Sequence, residues 1–268
     1  MVSDVAVAGS SGDSKYIAYG DDSQYNGALV YAFLIFKRTK LKSIVREVED
    51  IKRRFKFPVG VGIHCRELLS GQLREKKGLS HLTETDINSI FANVITVINR
   101  YQGLVRFTYS FMSKLDGMFP EDKIVFQSIN GDPDIAMPAR LDPKGVLGHL
   151  ALGCFMNGND PRHGPSPADC QIFISPDPTV IKFIGEKRSQ AHFLASGFIR
   201  DFGGLDVFNR VEPIIGGGDY PQLLDVADVL AYVCCHAIHA DSSQKRFNQL
   251  YDLIDWRVGF EYVTDPAV

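Results

Sequence analysis

Apolar and polar positions along this chain separate into recognisable strands and helices. Lys15 to Gly20 reads as a short strand, and Ala28 to Phe36 (ALVYAFLIF) is apolar without a break, as expected of a strand covered on both faces. Asn26-Gly27 between them is a tight-turn signal, so the chain opens with a hairpin, and Asp21-Asp22 stand where its first strand ends. Leu41, Ile44, Val45, Val48, Ile51 and Phe55 then fall on one stripe of an amphipathic helix. A second helix is predicted from about Thr83, its N-cap, to Tyr101, with Ile87, Ile90, Phe91, Val94, Ile95 and Ile98 at helical spacing. Val105, Phe107, Tyr109 and Phe111 alternate with Arg106, Thr108 and Ser110, which predicts a further strand.

Beyond this point the pattern is sparser. Pro143 to Met156 is predicted helical, Asn157 to Asp169 is a loop rich in Gly and Pro, and Gln171 to Ser175 (QIFIS) is a short strand stopped by Pro176-Asp177-Pro178. Residues 179–200 are expected to be helical, Asp206 to Ile215 to form a late strand, and about Pro221 to Ala240 to form the last strong helix. Residues 1–14 are small and polar and read as a flexible leader; no linker divides 15–268, which read as one domain. Strands and helices alternate after the opening hairpin, so the fold class is α/β, a mixed sheet with helices on its faces.

Composition narrows the classes. Apolar residues make up 45% and charged residues 23% of the 268, which excludes global disorder. No run approaches about 18 apolar residues, so no membrane-spanning helix is expected, and no signal peptide is apparent. Five cysteines, an odd number without a CxxC pair, fit reduced thiols and a cytoplasmic location better than a disulfide framework. Read as small core residues, they also fit better than as zinc ligands alongside His64, His236 and His239. The net charge of -3 excludes a protein basic all over, although nine basic and three acidic residues crowd between Lys37 and Lys56. That face is either simply solvated or a grip for a phosphate backbone. Gly216-Gly217-Gly218 reads as a turn into the last helix, no nucleophile elbow is present, and Trp256 is expected in the core.

The acids carry the candidate chemistry. The last helix is apolar almost all round except for Asp225, Asp228, Tyr232, His236 and His239, which fall within about 80° of arc. Burying an unpaired carboxylate costs several kcal/mol, so these acids must meet solvent, a cation or a hydrogen-bonding cluster. Asp21-Asp22, Asp177 directly after the QIFIS strand, and His64 with Glu67 are the other candidates. Taken singly each has a plain reading, as a turn, a cap or a solvated strip. Taken together, acids at strand ends and on a buried helix suit Mg²⁺ or Mn²⁺, and two such ions can drive phosphodiester hydrolysis.

These residues resemble a family. Tyr19-Gly20-Asp21-Asp22-Ser23, His64-Cys65-Arg66-Glu67-Leu68, Asp177 and Asp225-Val226-Ala227-Asp228 are similar in order and spacing to motifs of the uncharacterised DUF3800 proteins. Asp22 stands where that family usually has Glu, Gln24 where it has Gly, and Asp225 where it has Gln. The resemblance implies a ribonuclease H-like sheet and, by analogy, a divalent-metal-dependent nuclease with nucleic acid as partner. Asp21 and Asp228 would lead as metal ligands, with Asp22, Asp177 and Asp225 in reserve; Glu67 would assist catalysis, and His64 would bind substrate or move a proton. The competing expectation is a catalytically silent binding module of the same fold.

Overall fold

The Asn26-Gly27 turn organises the sheet. In the computed structural model both residues have positive φ, 44° and 79°, the type I′ geometry that matches the twist of adjoining strands. The turn joins β1 (Tyr16–Tyr25) to β2 (Ala28–Lys37), which pair antiparallel from Tyr16 opposite Lys37 to Tyr25 opposite Ala28. The structure describes residues 14–115, 123–126, 135–138, 146–148, 150, 151, 153, 154, 161–176, 214–239 and 245–261.

β2 buries nine of its ten residues, as its unbroken apolar run requires. On one side it pairs antiparallel with β3 (Leu104–Phe111). Two further strands, β4 (Lys123–Phe126) and β5 (Ile135–Pro138), form a separate hairpin. β6 (Cys170–Ile174) runs parallel to β1, β7 (Ile214–Ile215) parallel to β6, and β8 (Arg257–Glu261) parallel to β3. The main sheet is thus six-stranded and mixed, in the order β7-β6-β1-β2-β3-β8.

Helices cover both faces. One face receives α1 (Leu41–Arg54), α4 (Glu84–Arg100), α5 (Gln222–Ile238) and α6 (Lys245–Asp252), with the short α2 (Cys65–Leu69) and α3 (Gly71–Lys76) beside them. Ile17, Tyr19, Ala32, Leu34 and Phe36 of the hairpin pack here against Ile44, Phe91, Val226 and Leu230. On the other face Ala18, Leu29, Tyr31, Phe33 and Ile35 meet Val146, Leu147, Leu150, Ala151 and Cys154, a helical stretch. The Thr83 hydroxyl accepts from the Asp86 N–H while Asp86 accepts from the Thr83 N–H, a capping box that starts α4 where the sequence predicts it. No described helix is long and apolar enough to cross a membrane.

Two expectations need correction, and one buried charge stands out. β1 does not end at Gly20 but continues through Asp21 and Asp22 to Tyr25, because the far end of β2 supplies it with a full set of main-chain partners. Trp256 is 58% exposed rather than in the core, since it stands at the start of β8 on the sheet edge. Arg106 sits at a polar position of an alternating strand, yet it is 2% exposed. Its guanidinium donates to the carbonyls of His163 (2.9 Å) and Pro165 (2.8 Å) and so fastens residues 163–165 to the sheet. α6 and β8 carry no expectation from the sequence reading. The leader, the predicted helix at 179–200, Asp177 and the strand from 206 to 213 lie outside the described residues.

The Arg106 clasp generates a prediction. Arg106→Lys keeps the charge but not the planar fork that reaches two carbonyls. It should destabilise the protein by roughly 1–3 kcal/mol, read as a lower urea midpoint at unchanged slope. A midpoint equal to the wild type would show that the fork is dispensable.

Candidate acid site

Helix α5 brings the site together. Its apolar sides lie against β1 and β2, and twelve of its residues are buried. Asp225 is among them, at 8% exposure, and Asp228 is half-buried one turn further on. The chain segment before α2 crosses this turn. Ile63 N–H donates to Asp225 Oδ2 at 3.1 Å, and Cys65 N–H donates to Asp228 Oδ2 at 2.8 Å. The second contact lets Asp228 satisfy an N–H at the start of α2, where His64, the N-cap residue, supplies no side-chain cap. Gly62 is required at the crossing: a Cβ there would stand 2.3 Å from Asp225 Oδ2.

His64 joins the two acids. Its Nε2 lies 3.2 Å from Asp225 Oδ1 and its Nδ1 3.6 Å from Asp228 Oδ2. The close Asp228 carboxylate outweighs burial and, with the charges of Asp225 and Glu67, raises the imidazole to about 9. The ring is therefore cationic at neutral pH, and its side chain is 48% exposed. Burial pushes the Asp225 carboxyl upward, while the His64 charge and the Ile63 N–H oppose it. Lys52 of α1 also acts on Asp225, so the basic helix adjoins the site. Much of that helix's charge is already paired, Lys52 with Glu49 at 3.2 Å and Arg53 with Asp50.

Asp21 approaches from the sheet. Alternation along β1 puts Tyr19, Asp21 and Ser23 on the α5 face. Burial pushes the Asp21 carboxyl well above its ordinary value, and the charges of Asp228 and Asp22 add to this. Hydrogen bonds from the Asp22 N–H (2.9 Å) and the Ser175 side chain pull the other way. Ser175 follows β6 and is tied to β1 by its own N–H, which donates to Gly20 O at 2.9 Å. The sequence reading missed Ser175 because a Ser after a strand carries no pattern of its own.

His64 thus links Asp225 and Asp228, and Asp21 feels the Asp228 charge from the strand side. Asp22 does not join them: the same alternation turns its side chain to the opposite face of the sheet. Glu67 acts on His64 only through its charge and is engaged by Lys77 at 2.7 Å. The Cys65 thiol is fully buried, and burial followed by the charges of Asp228 and Asp21 holds it neutral. Cys154, Cys170 and Cys235 are likewise pushed up by burial to about 12, which removes thiolate chemistry at these positions. Among the described residues, no three His, Cys, Asp or Glu side chains are grouped to hold a metal ion.

Two predictions follow from the His64 link. Because its folded value lies above the ordinary 6.5, the stability it contributes is complete below about pH 6.5 and is lost as pH rises through about 9. In metal-free buffer the urea midpoint should fall across this window, and His64→Gln should flatten that fall; parallel curves would remove His64 as its source. Gly62→Ala should cost about 1–3 kcal/mol by driving Asp225 from its place, and should shift the His64 titration seen by NMR. No protein-family model, no curated protein and no solved structure matches this chain.

Proposed function

We propose that the protein is a divalent-metal-dependent nuclease with a ribonuclease H-like sheet, and that Asp21 and Asp228 hold the cation. The observation that carries this reading is the electrostatic opposition of Asp21 and Asp228. A strand and a helix each supply a carboxylate, and the Asp228 charge adds to burial in opposing ionisation of Asp21. Their donor set is hard oxygen, which suits Mg²⁺ or Mn²⁺. Two carboxylates suffice for Mg²⁺, which keeps most of its waters. Asp225 and Glu67 are engaged by His64 and Lys77, so the described residues supply donors for one ion, and a second would draw on residues such as Asp177.

When bound, such an ion activates a water and stabilises the leaving oxygen of a phosphodiester. The remaining roles fall to the chain itself. Ser175 orients the Asp21 carboxylate. Asp225 holds the His64 ring through Nε2, and the half-exposed imidazolium is placed to contact a phosphate oxygen or to give a proton to the departing one. Lys52 and its neighbours on α1 add positive potential beside the acids.

A catalytically silent module is the second reading, and one observation favours it. Asp225 and Asp228 already have partners in Ile63, His64 and Cys65, which gives them a structural role without any ion.

Asp21→Asn separates the two. The folded state raises the Asp21 carboxyl, so at neutral pH its ionised form opposes folding, and Asn should melt higher than the wild type in EDTA. Mn²⁺ at a hundred times its Kd should stabilise the wild type by about 2.7 kcal/mol, or roughly 5–10 °C. That increment should be absent in Asp21→Asn and Asp228→Asn, as should cleavage of mixed single- and double-stranded DNA and RNA. A wild type that gains nothing from Mn²⁺ or Mg²⁺ and cuts none of these substrates would leave the silent module.

A further inference from the structure

A cleft of about 530 Å³ opens at the other end of the sheet, where Tyr16 of β1 faces Lys37 of β2. Tyr16 and Asp21 are five residues apart on one strand, about 17 Å, so the cleft is separate from the acid site. Its volume is that of a small-molecule site. Four cationic side chains line it, Lys37, Lys40, Arg162 and Arg257, against one carboxylate, Asp255. Arg257 is committed: it lies over the Tyr251 ring at 4.3 Å and donates to Ile254 O at 2.6 Å. Lys37 and Lys40 are exposed and form no ion pair among the described residues.

Trp256, the chain's one tryptophan, stands in the same cleft and is 58% exposed. Its backbone is fixed, since its carbonyl accepts the Val105 N–H at 2.9 Å. Another part of the lining is fixed as well, because Arg106 holds the carbonyls of His163 and Pro165. Rigid walls, an open indole face and two uncommitted ammonium groups match a ligand that is flat at one end and doubly anionic at the other. Bases stack on such rings, and phosphates take charge-assisted hydrogen bonds from such lysines.

We propose that this cleft binds a nucleoside monophosphate unit, with the base on Trp256 and the phosphate on Lys37 and Lys40. The unit is either a free nucleotide or the phosphorylated end of a single strand. This assignment stands on the cleft and does not depend on the reading of the acid site.

The single tryptophan makes a direct test. Fluorescence of the full chain, excited at the red edge of the indole band, is titrated with AMP, CMP, GMP and UMP, with a 5′-phosphorylated oligothymidylate, with adenosine and with inorganic phosphate. Saturable quenching is expected from at least one monophosphate or from the oligonucleotide, and weaker effects from adenosine and from phosphate alone. Tighter binding of the mononucleotide identifies a free ligand, and tighter binding of the oligonucleotide a strand end. Lys37→Glu with Lys40→Glu should weaken binding at least roughly tenfold. Should that pair disturb folding, Lys37→Gln with Lys40→Gln gives the same comparison. No saturable quenching by any nucleotide, or equal affinity in a folded double variant, would overturn the assignment.

Discussion

Helix α5 cannot leave the sheet, and this single constraint shapes the acid end of the molecule. Leu223, Val226, Val229, Leu230 and Val233 are fully buried, and the helix makes the main cover of β1 and β2. Full burial of each such side chain is worth about 1.5–3 kcal/mol, so the helix holds its place even though two carboxylates come with it. Everything around those acids then reads as accommodation. The Ile63 and Cys65 amides turn toward them, Gly62 gives up a side chain to let the segment pass, and His64 takes on a proton between them. Asp21 meets the same helix from the strand side without a cation supplied by His64's bridge, and its ionisation is opposed.

Periodicity made much of this legible beforehand. The hairpin, α1, α4, β3 and α5 are long and regular enough for spacing alone to reveal them, and the polar stripe on α5 had to mean that buried acids find partners. What spacing could not give is which partners. The bonds from Ile63 and Cys65 to α5 span more than 160 residues of sequence, and they use main-chain N–H groups that every residue possesses. Local polarity also misled at Asp21-Asp22, where a run of acids looks like a turn but the demand of β2 for a partner strand prevails. Arg106 and Trp256 depart from local polarity for the converse reason. A charged residue was drawn inside by two carbonyls from a distant segment, and a large apolar one was left at a sheet edge.

The two ends of the hairpin differ in electrostatic character. Near the turn-proximal half the strand presents Asp21 to a helix that carries further acids. At the open end Lys37 and Lys40 stand over a cleft with little negative charge. A nearly neutral chain, with a net charge of -3, thus carries an acid cluster at one end of the hairpin and a basic cleft at the other.

The positive φ angles at Asn26 and Gly27 have a consequence for how the protein can change over evolutionary time. The turn fixes which residue of β1 stands opposite which residue of β2, and side chains along a strand alternate between faces. Gaining or losing one residue at the turn would leave β2 buried where it is and slide β1 by one position. Asp22 would then face α5, Asp21 would face away, and Ile17 and Tyr19 would exchange layers with Ala18 and Gly20. A single-codon insertion or deletion at this loop tip, the sort of change surface loops usually absorb, would here exchange the acid offered to the helix and unpick the core in the same stroke.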